Sequence, residues 1–191
     1  MSRQVVLIAG SPQKESRSSQ VLSALGERLA AGGVRTKRFG LSDFQAEDLL
    51  FARPEVPAVR DYLEQIQAAS AIVLATPVYK ATYSGGLKVL LDLIPPDALR
   101  GKTVLTIATA RVGRHFPGVQ RALDDLYRFF EAGLAIPAVF LLDEQVRQGP
   151  HGLAYDPSAE AAVDKAAKAL LHALAAPRNV AESPAELRAG K

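Results

Sequence analysis

Short, nearly continuous apolar runs alternate along the chain with amphipathic stretches. Five runs have strand length: residues 5–9, 34–39, 71–75, 103–108 and 137–142. Most are unbroken rather than alternating, which marks strands covered on both faces, as in a parallel sheet between layers of helices. The second run is interrupted by Arg35, Lys37 and Arg38, so it belongs at or near a sheet edge.

Between the runs the apolar spacing becomes helical. Val21, Leu22, Leu25 and Leu29 share one face, behind the capping-type residues Ser18 and Ser19. Val59, Leu63 and Ile66 predict a second helix, and Leu87, Leu90, Leu91 and Ile94 a third, stopped by Pro95 and Pro96. A fourth follows from Val119, Leu123, Leu126, Tyr127 and Phe130, and a fifth from Val163, Ala167, Leu170, Leu171 and Leu174. Regular β-α alternation predicts an α/β fold, because parallel strands require crossover connections and these are right-handed. With five strands the expected form is a flavodoxin-like three-layer sandwich, its parallel sheet ordered 2-1-3-4-5. One domain is expected over residues 1–176. The polar, proline-containing tail 177–191 is expected to be poorly ordered.

Composition narrows the function. The 191 residues are 48% hydrophobic and 23% charged, enough apolar material for a sizeable core. Cysteine is absent, which excludes disulfides, thiolate metal sites and a cysteine nucleophile. The three histidines, His115, His151 and His172, are far apart, so no metal site is expected. The net charge of +3 favours anionic small ligands, and the dispersed Lys and Arg residues argue against nucleic acid. No basic leader precedes a long apolar run and no membrane-length run occurs, so the cytoplasm is the expected location.

In an open α/β sheet, ligands bind beyond the carboxyl ends of the strands where strand order reverses. For order 2-1-3-4-5, that singles out the loops after the first, third and fourth strands. The first reads Gly10-Ser11-Pro12-Gln13-Lys14-Glu15-Ser16-Arg17-Ser18-Ser19. Gly10 would allow a sharp turn. Ser11, Ser16, Ser18, Ser19 and Arg17 place hydroxyl and guanidinium donors at a helix start, a favourable place for a phosphoryl group. Neither G-x-x-x-x-G-K-[ST] nor G-x-G-x-x-G is present, which points to a phosphomonoester rather than ATP hydrolysis or a Rossmann-bound dinucleotide. The loop after the third strand offers Pro77, Val78, Tyr79 and Lys80, a flat apolar face beside backbone donors that suits a planar heteroaromatic ring. The loop after the fourth begins Thr109-Ala110-Arg111, with donors for a ring carbonyl or a dinucleotide phosphate.

These stretches resemble the NADPH-dependent FMN reductase family, and within it the alkanesulfonate-type flavin reductases. The resemblance is carried by Ala9-Gly10-Ser11-Pro12 with Ser16-Arg17-Ser18-Ser19, by residues 48–53, and by residues 75–88 continuing to Pro95. It implies a flavodoxin-like fold, FMN with NADPH or NADH, a homodimer or homotetramer, and delivery of reduced FMN to a partner monooxygenase. It also implies that Ser11, Ser16, Arg17, Ser18 and Ser19 surround the phosphate, that Pro77, Val78, Tyr79 and Lys80 line the isoalloxazine, and that Thr109 sits near its pyrimidine end. Three features depart from the pattern. Gln13 stands where relatives often carry arginine, and Ala110-Arg111 where they often carry a glycine pair. Arg121 stands where the alkanesulfonate-type enzymes insert a tyrosine that forms a π-bulge. The expected reaction is hydride transfer from nicotinamide to flavin, with no protein side chain acting as acid, base or nucleophile. The alternatives are a quinone, azo-compound or metal-ion reductase with bound FMN, a flavodoxin-type electron carrier, and a flavin-free binding protein.

Overall fold

The computed structural model describes residues 3–149 and 152–176; the expected disordered tail lies outside the described residues. The central parallel sheet is built from β1 (Gln4–Ala9), β2 (Arg35–Gly40), β3 (Ala71–Tyr79), β5 (Thr103–Ala110), β6 (Leu134–Ala135) and β7 (Val139–Leu142). Its order is β2-β1-β3-β5, with β6 and β7 both pairing with the far side of β5. The predicted 2-1-3-4-5 arrangement is therefore present, with its fifth position divided in two. Pro137 explains the division. It has no N–H for a ladder, and the chain bonds to β5 there only through Ile136 N to Val104 O at 2.8 Å. The strand predicted over 137–142 accordingly starts at Val139, and Pro137 sits in the break.

Alternate residues of each central strand enter opposite layers. Val5, Leu7, Val73, Ala75, Leu105 and Ile107 pack beneath α1 (Arg17–Ala31) and α6 (Pro157–Ala175). Val6, Ile8, Ile72, Leu74, Val104 and Ala108 pack beneath α3 (Pro57–Ala68), α4 (Gly85–Asp92) and α5 (Phe116–Phe129). Burial on both sides is why the strands read as unbroken apolar runs. β2 is the edge strand, with Arg35, Thr36, Lys37 and Arg38 exposed and only Phe39 and Gly40 buried.

Four of the described elements, a short helix, a two-residue strand and a pair of strands, lack a sequence signal. The short helix α2 (Ala46–Leu50) carries Asp48, whose buried carboxylate accepts from Arg53 Nη1 at 3.1 Å. The two-residue strand β4 (Thr82–Tyr83) folds back on β3. The antiparallel pair β8 (Val146–Gly149) and β9 (Gly152–Tyr155) lies against α6 and buries Val146 in the α1/α6 core. α5 is a regular α-helix through the exposed Arg121, with no bulge there. No helix of the described residues is long and apolar enough to cross a membrane.

Candidate functional site

The carboxyl ends of β1, β3 and β5 converge on one cleft of about 650 Å³. Its floor follows from strand register: Thr76 lies opposite Ala108 and Pro77 opposite Thr109, so the ends of β3 and β5 are level. A hydrogen-bond relay holds the loops in place. Ser84 caps α4 by accepting from Leu87 N at 3.0 Å, and its hydroxyl donates to Gly10 O. Thr76 Oγ1 accepts from Ser84 N at 2.9 Å, and Gly10 N donates to Ala75 O at 2.8 Å. All of these side chains are buried, so the relay fixes the β1 and β3 loops against each other.

Gly10 serves this junction differently from the predicted turn. Positive φ among the described glycines occurs only at Gly33 and Gly101. At Gly10 the need is for space: a Cβ would lie 2.4 Å from Leu87 Cβ and 2.8 Å from Leu87 Cα. The glycine lets α4 pack directly on the end of β1.

After Tyr79 the backbone reverses in a two-residue hairpin, with Val78 opposite Tyr83 and Tyr79 opposite Thr82. The hairpin residues Lys80 and Ala81 both take left-handed conformations, with φ of 50° and 67°. Two consecutive positive φ values match the twist of tight hairpins, but the usual occupants are Asn and Gly. Side chains there cost on the order of 1 kcal/mol each. The strained turn projects from the cleft wall and carries Lys80 on it. Tyr79 beside it is 45% exposed, which leaves an aromatic side chain open at the wall.

The structure brings nine of the twelve predicted site residues to the cleft wall: Ser16, Arg17, Pro77, Val78, Tyr79, Lys80, Thr109, Ala110 and Arg111. Ser11, Ser18 and Ser19 do not line it. Ser11 is buried, and its Oγ accepts from Gln13 N at 3.1 Å, shaping the loop from within. Ser18 and Ser19 are buried in the first turn of α1. Ser16 is the N-cap, accepting from Ser19 N at 3.2 Å and donating to Ser19 Oγ at 2.9 Å. Arg17 reaches across the cleft mouth. Its Nε donates to Val146 O at 3.2 Å, and Nη1 lies 3.4 Å from Asp143 Oδ2. Around the wall, Arg17, Lys80 and Arg111 face the single carboxylate of Asp143, so positive charge is in excess.

A cationic cleft at the strand-order reversal is where the sequence leads one to expect a phosphorylated ligand, and comparison with known proteins identifies the family. The family model described as NADPH-dependent FMN reductase matches residues 3–147. This chain belongs to that family. The chain is 40% identical over 170 residues to an FMN reductase (NADPH) of Escherichia coli, covering 89% of each chain. It is 32% identical over 135 residues to an NADH-dependent FMN reductase of Pseudomonas putida, covering 67% of this chain and 71% of that one. Among solved structures, an NADH:FMN oxidoreductase in its apo form superposes with a TM-score of 0.86 at 21% identity, covering 97% of this chain and 99% of that one, a likeness of fold. The reductase is thus a flavodoxin-like oxidoreductase that works with FMN and a reduced nicotinamide nucleotide.

Residues that sequence reasoning missed in the reductase's cleft are Gln13, Ala81, Val112, His115 and Asp143. Ala81 and Val112 adjoin predicted site residues, Gln13 lies within the first loop, and His115 lies just beyond the Thr109-Ala110-Arg111 start of the third. Asp143 had no signal. It follows β7, far along the chain from Arg17, and the fold alone brings the two together.

Proposed function

We propose that the cleft binds FMN with its phosphoryl group toward the start of α1 and its ring between the ends of β3 and β5. The observation that carries this is the composition of the wall. Pro77, Val78, Tyr79 and Ala110 give an apolar, partly aromatic slot, and Arg17, Lys80 and Arg111 give cations beside it. That donor set fits a planar ring with an anionic tail. Ser16 and the first turn of α1 supply hydroxyl and N–H donors near the phosphoryl group. Ser11, Ser18 and Ser19 act by shaping the loop, and Thr109 stands at the ring's polar edge. Bound FMN supplies the electron-accepting chemistry, and the protein contributes position and electrostatics. Tyr79 presents an open face at the slot, Lys80 rides on the strained hairpin, and no side chain needs to move a proton.

In this scheme FMN is a substrate that leaves once reduced, and the reductase hands it to a partner monooxygenase. The open cleft and the pairing of Arg17 with Asp143 support a dissociable ligand, since part of the cationic charge is already offset. A cytoplasmic homodimer or homotetramer completes the proposal; Leu50 and Phe51, 71% and 64% exposed, offer apolar surface for assembly. The deciding experiment titrates purified protein with FMN and follows NADPH and NADH oxidation with and without added flavin. Saturable flavin binding with flavin-dependent oxidation is expected. A yellow chromophore that survives purification and turns over without added FMN would replace the substrate role with a prosthetic one. No saturable binding at millimolar FMN would end the proposal.

A further inference from the structure

A cleft of about 650 Å³ has the capacity of one ordinary ligand site. FMN and a nicotinamide dinucleotide together exceed it. The nicotinamide must meet the flavin inside the cleft, so the phosphates and adenosine of the dinucleotide must run out over adjoining surface. A shallow depression of about 480 Å³ meets that need, because it shares Arg17, Arg111 and Asp143 with the cleft and continues to Glu144 and Arg147. The groove of about 570 Å³ along α1 shares no lining residue with the cleft.

The charges of the depression are unevenly committed. Arg17 is held by Asp143 and by Val146 O. Arg147 donates Nε to Glu144 O at 2.9 Å, and its charge also acts on the Asp156 carboxylate, which lies outside the depression, with no hydrogen bond or ion pair between the two among the described residues. Arg111 is exposed and makes no hydrogen bond or ion pair among the described residues. Arg111 and Arg147 therefore keep donors to spare, with Glu144 the unpaired carboxylate lining the depression and Asp156 acting on Arg147 from outside it. A guanidinium fork matches a phosphoryl group in geometry as well as charge.

We propose that Arg111 and Arg147 form a docking subsite for a phosphoryl group of the nicotinamide dinucleotide, just outside the flavin cleft. The proposal rests on the flavin occupying the cleft. The phosphoryl group is either the 2′-phosphate of NADPH or the pyrophosphate common to both dinucleotides. The test is steady-state kinetics of the full chain with FMN as acceptor and NADPH or NADH varied. Arg147→Ala carries it, because Arg147 lines the depression and not the cleft. The expected result is a KM for NADPH raised about tenfold, and further in R111A/R147A, with the kcat of R147A little changed. A rise for NADPH alone assigns the 2′-phosphate, and an equal rise for both assigns the pyrophosphate. An unchanged KM for both dinucleotides in R147A overturns the subsite. Titration of the unaltered protein with FMN keeps the two ideas apart. Absent flavin binding removes the underlying proposal, whereas normal flavin binding with an insensitive dinucleotide KM removes only this one.

Discussion

With FMN in the proposed orientation, the contact between Arg17 and Asp143 would set how tightly the cleft holds the phosphoryl group, and it can be dissected by substitution. Arg17 Nη1 stands 3.4 Å from Asp143 Oδ2, with the side chains 51% and 28% exposed. A phosphoryl group drawn to Arg17 arrives within a few ångströms of that carboxylate. Two unit charges at about 4 Å interact by about 1 kcal/mol in water and about 4 kcal/mol at an effective dielectric of 20. For a half-exposed pair the lower figure governs, so removing the carboxylate charge is worth about 1 kcal/mol to a bound phosphate. Asp143→Asn should lower the FMN dissociation constant roughly fivefold. Arg17→Ala should raise it roughly five- to 150-fold, through loss of charge-assisted hydrogen bonds of about 1–3 kcal/mol. In the R17A background the gain from D143N should shrink, because nothing then draws the phosphoryl group to residue 143. Flavin fluorescence titration at fixed ionic strength measures all four corners of the cycle. Thermal melts should barely move, since exposed ion pairs contribute only about 0–1 kcal/mol. Loss of affinity in D143N equal to that in R17A would refute the reasoning, because Asp143 would then be holding Arg17 in place for the ligand rather than competing for it. An unchanged constant in R17A would remove Arg17 from the site altogether.

Ala81→Gly should stabilise the protein by roughly 0.5–1 kcal/mol in urea unfolding, because relief of the left-handed strain outweighs the entropy that glycine gives the unfolded chain; a loss of stability would contradict the assigned hairpin strain. Gly10→Ala should cost about 3 kcal/mol or more, since its Cβ would meet Leu87 backbone at 2.8 Å, and an unchanged midpoint would show that the junction yields freely. At high pH, burial pushes the Tyr127 phenol up to about 12 and the fully buried Tyr62 phenol up as well. Their protonated forms are favoured by folding, so that stability is complete below pH about 10 and declines as pH rises toward 12. The double variant Y62F/Y127F should flatten this alkaline decline, and a decline of the same slope would assign it to other groups.

Patterning alone determined the architecture, because burial on both faces leaves a direct mark on composition. The run at 71–75 is apolar at successive positions, and the run at 103–108 is interrupted only by Thr103 and Thr106, since each apolar residue meets one helical layer or the other. The interruption at Arg35, Lys37 and Arg38 put β2 at the edge for the same reason. Order reversal between β1 and β3 then located the loops that line the cleft, and the Pro-Val-Tyr-Lys stretch with Ser16 and Arg17 is found on its wall. What escaped were features that depend on contacts distant in sequence or on backbone strain. The reversal at Lys80 and Ala81 carries no Asn-Gly signal, so its left-handed turn is imposed by pairing of β3 with β4. The role of Gly10 became visible only with Leu87 against it. The sequence could propose Arg17 as a phosphate ligand, but whether that guanidinium stands free depends on where Asp143 comes to rest. Only the tertiary structure decided that, because a charge's effect falls with distance through space, whatever the separation along the chain.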